Sequence, residues 1–121
     1  MQLEFQGDEG DFLKIAAQES LKGAGLMNQI DPMDQVLGIG GYRRNVLFDL
    51  TEAALIDSAA IGWLLQKHRK FEEEGGCLVL HSPAPVVMQS LKMLQMHKIF
   101  NIHKDFEAAK DWLASKDSET E

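Results

Sequence analysis

Cys77 is the sole cysteine in this 121-residue sequence, which excludes an internal disulfide, a four-cysteine zinc site and a C-x-x-C redox pair. Basic residues are also scarce: 12 Lys and Arg stand against 19 Asp and Glu, a net charge of −7. That balance argues against unaided binding to nucleic acid or an anionic membrane, since both gather cations against phosphate. A basic or mixed-charge protein partner suits it better. Long apolar runs are missing, so membrane insertion is not expected, and the start Met1-Gln2-Leu3-Glu4-Phe5 lacks the basic and apolar segments of a secretory leader. These absences point to a cytoplasmic chain. With 45% hydrophobic residues it is long enough for one domain with one core. Residues 1–114 are expected to form that domain and residues 115–121 an acidic, frayed tail.

What is present reads as alternating strands and helices. Leu3 to Phe5 and Phe12 to Ala17 flank Gly7-Asp8-Glu9-Gly10 and suggest a hairpin. Residues 18–29 read as a long loop whose role is open, with Leu21, Leu26, Met27 and Ile30 as buried anchors; Gly23 and Gly25 disfavour a helix there. Asp31-Pro32 is a helix start, with Met33, Val36 and Leu37 as its apolar stripe and Gly38, Gly40 and Gly41 as its end. Val46 to Leu50 and Cys77 to Leu80 are nearly continuous apolar runs, as expected of strands covered on both faces. Between them Ile61, Leu64, Leu65, His68 and Phe71 recur at helical spacing, and Gly75-Gly76 supplies the stop. Val87, Leu91 and Leu94 mark a further helix ending near Met96, Ile99 to Ile102 a last short strand, and Asp105 the cap of a final helix bearing Phe106, Ala109 and Leu113. Such an order gives an α/β layered domain with a mixed β-sheet and helices packed mainly on one face.

The chemistry concentrates at Leu55-Ile56-Asp57-Ser58-Ala59-Ala60-Ile61-Gly62. With Asp57 as N-cap, Ser58 falls in the first helical turn, where free backbone amides and the positive end of the helix dipole favour an anion. A phosphate on Ser58 would be stabilised there by roughly 0.3 to 1 kcal/mol per charge, so it should leave the fold intact and act on a partner instead. Asp and Ser are also the residues that begin helices for no further purpose. Trp63 falls between buried helix positions, pointing it outward, either as an interface anchor or over Lys67. Lys67, Arg69 and Lys70 read as a solvated face. His68, His81, His97 and His103 contain no i, i+4 pair and no H-E-x-x-H pattern, so no metal site is expected. Met88, Met93 and Met96 read as core filler or a soft contact surface.

From Val46 to Leu80 the motifs Val-Leu-Phe-Asp-Leu, Leu-Ile-Asp-Ser, Ile-Gly-Trp-Leu-Leu, His-Arg-Lys, Gly-Gly and Cys-Leu-Val-Leu closely resemble the core of STAS domains of the anti-sigma factor antagonist family. The likeness continues more loosely through Pro83 to Ile102. It implies a STAS-like fold and a binding module in place of an enzyme, with no cofactor and a monomeric or weakly dimeric state. By this resemblance Ser58 is the phosphorylation site, and Asp57, Ser58, Ala59, Ala60, Gly62 and Trp63 form the partner-binding surface. The implied partners are a serine-kinase anti-sigma factor, bound by the unphosphorylated chain, and a phosphatase that resets the cycle. Where the family pattern commonly reads Asp-Ser-Ser/Thr-Gly-Leu-Gly, this chain has Ala59 and Ala60 and keeps only Gly62 of the glycine pair.

Two other functions fit parts of the pattern. One keeps the fold without phosphorylation, as an interaction module for a transporter, a sensor complex or a small ligand; the Ala59-Ala60 departure favours it. The other makes Asp49 a phosphate acceptor in an acidic, metal-bearing pocket, which would need carboxylates at the end of the first strand, where Leu3-Glu4-Phe5 offers only one.

Overall fold

Five strands form one sheet in chain order in the computed structural model, which describes residues 1–24, 26 and 30–119. Strands β1 (Leu3–Asp8) and β2 (Leu13–Ala17) pair antiparallel, whereas β3 (Asn45–Asp49), β4 (Cys77–His81) and β5 (Asn101–His103) continue from β2 in parallel. The hairpin register shifts between Phe5 and Gly7, and its turn is fixed by Asp8, which accepts hydrogen bonds from the Gly10 amide and both Arg44 guanidinium nitrogens. The Arg44 contact, with the Gly10 amide, holds the Asp8 carboxyl at about 2.

Parallel strands in sequential order need a crossover between each pair, and crossovers of one hand lie on one face of the sheet. The three crossover helices are α1 (Pro32–Leu37), α2 (Ser58–Glu74) and α3 (Pro85–Met93). Their buried residues Met33, Ile61, Leu64, Phe71, Val87 and Leu91 join Ile15, Val46, Phe48, Leu78 and Leu80 in one core. Only an element after β5 can reach the other face. That element is α4 (Phe106–Glu119), whose Ala109 and Leu113 pack on Phe12, Leu47, Cys77 and Val79. The alternation Val46/Leu47/Phe48 and Leu78/Val79/Leu80 supplies both faces, which explains why the interiors of these strands carry no polar residue.

Packing sets where the helices lie and caps set where they begin. Burying a side chain such as Phe71 or Leu64 is worth roughly 1.5–3 kcal/mol, against about 1 kcal/mol for a cap. Asp31 accepts from the Met33 amide at 2.9 Å with Pro32 in the first helical position, as the sequence indicates. Asp57 caps α2, Gly75 ends it with φ 96°, and Asp105 accepts from the Ala108 amide at the start of α4.

Several sequence expectations are corrected. Ile30 is 73% exposed and anchors nothing, whereas Leu21 is fully buried and Leu26 packs on the core; Met27 lies outside the described residues. Leu94 is exposed because α3 stops at Met93, with Gln95 turning left-handed at φ 62° before a single 3-10 turn. The last helix continues to Glu119, through residues that the sequence marks as a tail; residues 120 and 121 lie outside the described residues.

Candidate functional site

The segment joining β3 to α2 is built by short-range polar contacts. Asp49 Oδ1 accepts from the Thr51 amide at 2.9 Å and its hydroxyl at 2.5 Å, turning the chain sharply beyond the end of β3. Leu50, Ala53 and Ile56 are buried, which draws the loop down onto the core and leaves Thr51, Glu52 and Leu55 outside. Residues 20–23 then lie against it. Leu21 donates to the Leu55 carbonyl and accepts from the Asp57 amide, each at 3.0 Å, forming an isolated parallel bridge with Ile56; Ser20 Oγ accepts from the Leu55 amide.

Asp57 joins these parts. Its carboxylate accepts from the Ala60 amide at 2.8 Å, which caps the helix, and from the Gly23 amide at 3.0 Å. A Cβ on Gly23 would overlap the methyl of Ala59, so glycine is required there by close approach. Residues 20–23, from the loop of unassigned role, thus form one wall of the site. Sequence reasoning missed it, although a glycine in an otherwise apolar loop is a signal of this kind.

The six residues expected to contact a partner divide by burial. Ser58 and Ala59 are exposed in the first turn of α2, and Gly62, one turn on, is exposed with nothing within 4 Å of the place a Cβ would occupy. With Gln66 and Arg69 they make an outward stripe at helical spacing, beside the 41% exposed Leu55. Among the described residues the Ser58 and Ala59 amides are the open donors at the helix start, since Ala60 and Ile61 donate to Asp57. Asp57 is half-buried and works as a cap. Ala60 is fully buried, so its methyl cannot meet a partner.

Trp63 is corrected as well: it is 6% exposed, and its indole Nε1 donates to Asp31 Oδ2 at 3.1 Å. Lys67, expected on a solvated face, is 8% exposed and pairs with the same Asp31 oxygen at 2.6 Å. The expected buried stripe was too narrow because α2 is covered beneath by the sheet and also on its flank by Asp31, the cap of α1, and by Tyr42 of the 3-10 turn Gly41–Arg43. Burial pushes the Asp31 carboxyl up, but Lys67, the Met33 amide and Trp63 together hold it below its usual value. Arg69 remains exposed and Lys70 lies over the Tyr42 ring.

On the opposite face, Asp49, His81 and His103 are register neighbours across β3, β4 and β5. Burial lowers the His81 pKa, opposed by Asp49 and Asp105 and reinforced by His103 and Lys14; burial likewise lowers that of His103. His81 Nδ1 is 2.8 Å from Ser82 Oγ, and its ring meets Phe106 edge-on. Among the described residues no group of three or more His, Cys, Asp or Glu is placed to hold a metal ion. Asp49 shares a hollow of about 410 Å³ with Glu4 and Glu52, but Asp49 is engaged by Thr51 and Glu4 accepts from Gln18 at 2.7 Å, so among the described residues these acids are not gathered into a metal-binding phosphate-acceptor site.

Residues 9–109 match the family model described as STAS domain. Among solved structures, a protein of Thermotoga maritima described as a candidate anti-sigma factor antagonist superposes with a TM-score of 0.78 at 18% identity, covering 91% of this chain and 94% of its own. An anti-sigma-factor antagonist (STAS) domain protein from Planctomyces limnophilus gives 0.76 at 17% identity, covering 94% and 99%. The Bacillus cell fate determinant SpoIIAA in its phosphorylated form gives 0.63 at 14% identity, covering 92% and 98%. Identities this low establish a shared fold. No curated protein sequence matches the chain. Among the described residues no helix is long and apolar enough to cross a membrane.

Proposed function

This chain belongs to the STAS domain family, and on that premise we propose that it is an anti-sigma factor antagonist-like regulator of transcription, switched by phosphorylation at Ser58. In this reading the unphosphorylated protein docks a serine-kinase anti-sigma factor in the cytoplasm through the stripe from Ser58 to Arg69, and so frees the sigma factor. The kinase supplies the nucleotide site and the chain catalyses nothing. A phosphatase restores the hydroxyl.

The observation that carries this reading is the position of Ser58. It is exposed at the first residue of a 17-residue helix, beside two open amides, with the capping work already done by Asp57. A phosphate there meets the positive helix end without breaking a contact of the fold. A partner that had packed against a neutral hydroxyl and the bare backbone at Gly62 would instead have to desolvate a dianion. The likeness to SpoIIAA, whose fold is known in a phosphorylated form, supports the same reading.

Affinity capture from the source cells with wild type, Ser58→Ala and Ser58→Asp tests it. A kinase-type anti-sigma factor should bind the first two and be lost from the third. Equal capture by all three would favour a constitutive module, the reading to which the exposed Ala59 lends weight.

A further inference from the structure

No carboxylate occurs between Glu74 and Asp105, although the chain has 19 of them. The intervening segment carries Lys92, Lys98 and Lys104 and no arginine, so it holds a charge of +3 and the remaining residues −10. All three lysines are exposed, and among the described residues none is paired with a carboxylate. The same segment presents Val86, Met93, Leu94 and Ile99, which are 56%, 75%, 47% and 43% exposed. Exposed apolar groups of this size in a segment that carries charge of one sign mark a candidate interaction surface, and Met93 of this set borders a hollow.

The surface has a shape. One shallow hollow of about 530 Å³ is lined by Pro85, Met88, Gln89, Lys92 and Met93, and a second of about 380 Å³ by Pro83, Pro85, Met88, Ile102, His103 and Lys104. Because Pro85 and Met88 line both, the hollows adjoin as one trough that runs along α3 and reaches the edge strand β5, with Lys92 lining the first hollow and Lys104 the second. Its floor is apolar and includes methionine, which adapts to varied side chains. It shares no residue with the Ser58 stripe.

We propose that this trough is a second docking site, for an acidic amphipathic segment of a partner protein whose apolar side chains fill the hollows while its carboxylates meet Lys92 and Lys104. Charge complementarity selects this occupant. A lipid surface would need to be anionic to use the lysines, and the −10 carried elsewhere opposes approach to an extended negative plane. A short helix touches only the local +3. The site lies outside the Ser58 switch, so it can stay engaged whether or not Ser58 is phosphorylated.

The test is a set of amide NMR titrations of the whole chain. The probe is a helical peptide of about 15 residues with leucines along one face and glutamates on the other. Shifts should gather on residues 83–104. They should vanish for the peptides with lysine for glutamate or serine for leucine. The pair Lys92→Glu and Lys104→Glu should weaken binding at least about tenfold, and Met93→Ser should weaken it as well; all three side chains are exposed, so the fold is preserved. Repeating the titration with Ser58→Asp should change nothing, which separates failure of this site from failure of the switch. Absence of binding, shifts centred on α2, preference for phosphatidylglycerol vesicles, or the same shifts from raising protein concentration alone would each overturn the proposal.

Discussion

Asp57 and Gly23, 34 residues apart in sequence, are joined by a hydrogen bond from the glycine amide to the carboxylate that caps the helix bearing Ser58. The contact makes residues 20–23 a wall beside the proposed docking surface. Replacing Asp57 with Ala removes the cap and the loop's acceptor together, and should cost about 1–2 kcal/mol in denaturant unfolding. Asp57→Asn, which keeps an acceptor oxygen, should cost less.

The packing of Gly23 on Ala59 allows a reciprocal test. Gly23→Ala places two methyls in one space and should destabilise by about 1–3 kcal/mol. Ala59→Gly added to it should recover most of that loss despite glycine's poor helix propensity. The coupling is read as a double-mutant cycle from unfolding midpoints. Simple additivity would mean that the loop does not rest where the structure places it.

At Gly62 fold and docking should separate. Nothing lies near a Cβ built there, so Gly62→Ala should raise stability by about 0.5–1 kcal/mol through helix propensity. The same methyl enters the proposed interface and should weaken capture of the partner by roughly tenfold. Both effects can be read on one preparation, by thermal melting and by binding.

Asp31 gathers Lys67, Trp63 and the Met33 amide into one network between α1 and α2. Lys67→Met keeps the buried stem and leaves the Asp31 charge without its cation. It should destabilise by about 1–3 kcal/mol, the Asp31 side chain being partly open to water. Trp63→Phe loses the indole hydrogen bond and leaves a small cavity where the larger ring packed, and should cost about 1–3 kcal/mol. Partner capture should survive Trp63→Phe, because the ring points inward.

Acid should weaken the fold in two stages. His81 and His103 have folded pKa values below 6.5, so the unfolded chain takes up their protons first. Stability is therefore fully present above about pH 6.5 and falls as pH drops below it, with a positive slope of stability against pH. Asp31, also lowered, adds a further loss as pH falls below its ordinary 3.8. Thermal midpoints between pH 8 and 5 check the first stage, and His81→Gln should reduce its slope, leaving the share of His103.

Much of this molecule is legible in its sequence where periodicity or capping is strong. The apolar runs at Val46 and Cys77 became doubly covered strands, and Asp31-Pro32, Asp57 and Asp105 each begin a helix. Ser58 is exposed in the first turn, where the capping pattern put it. What was not legible depends on neighbours distant in the chain. Trp63 and Lys67 turn inward because α1 brings Asp31 alongside α2, and no local pattern records that approach. The wall formed by Ser20 to Gly23 is likewise made by pairing with Leu55 to Asp57 across the site. Ala60 looked like a departure at the docking surface, yet its side chain belongs to the core.

The most direct test of the central claim is intact-mass analysis after incubation with ATP and the candidate serine-kinase anti-sigma factors of the same source, with Ser58→Ala alongside. The account predicts the mass of one added phosphate on the wild type and none on the variant. A binding partner that leaves the wild type unmodified, or a phosphate that persists in Ser58→Ala, would contradict it.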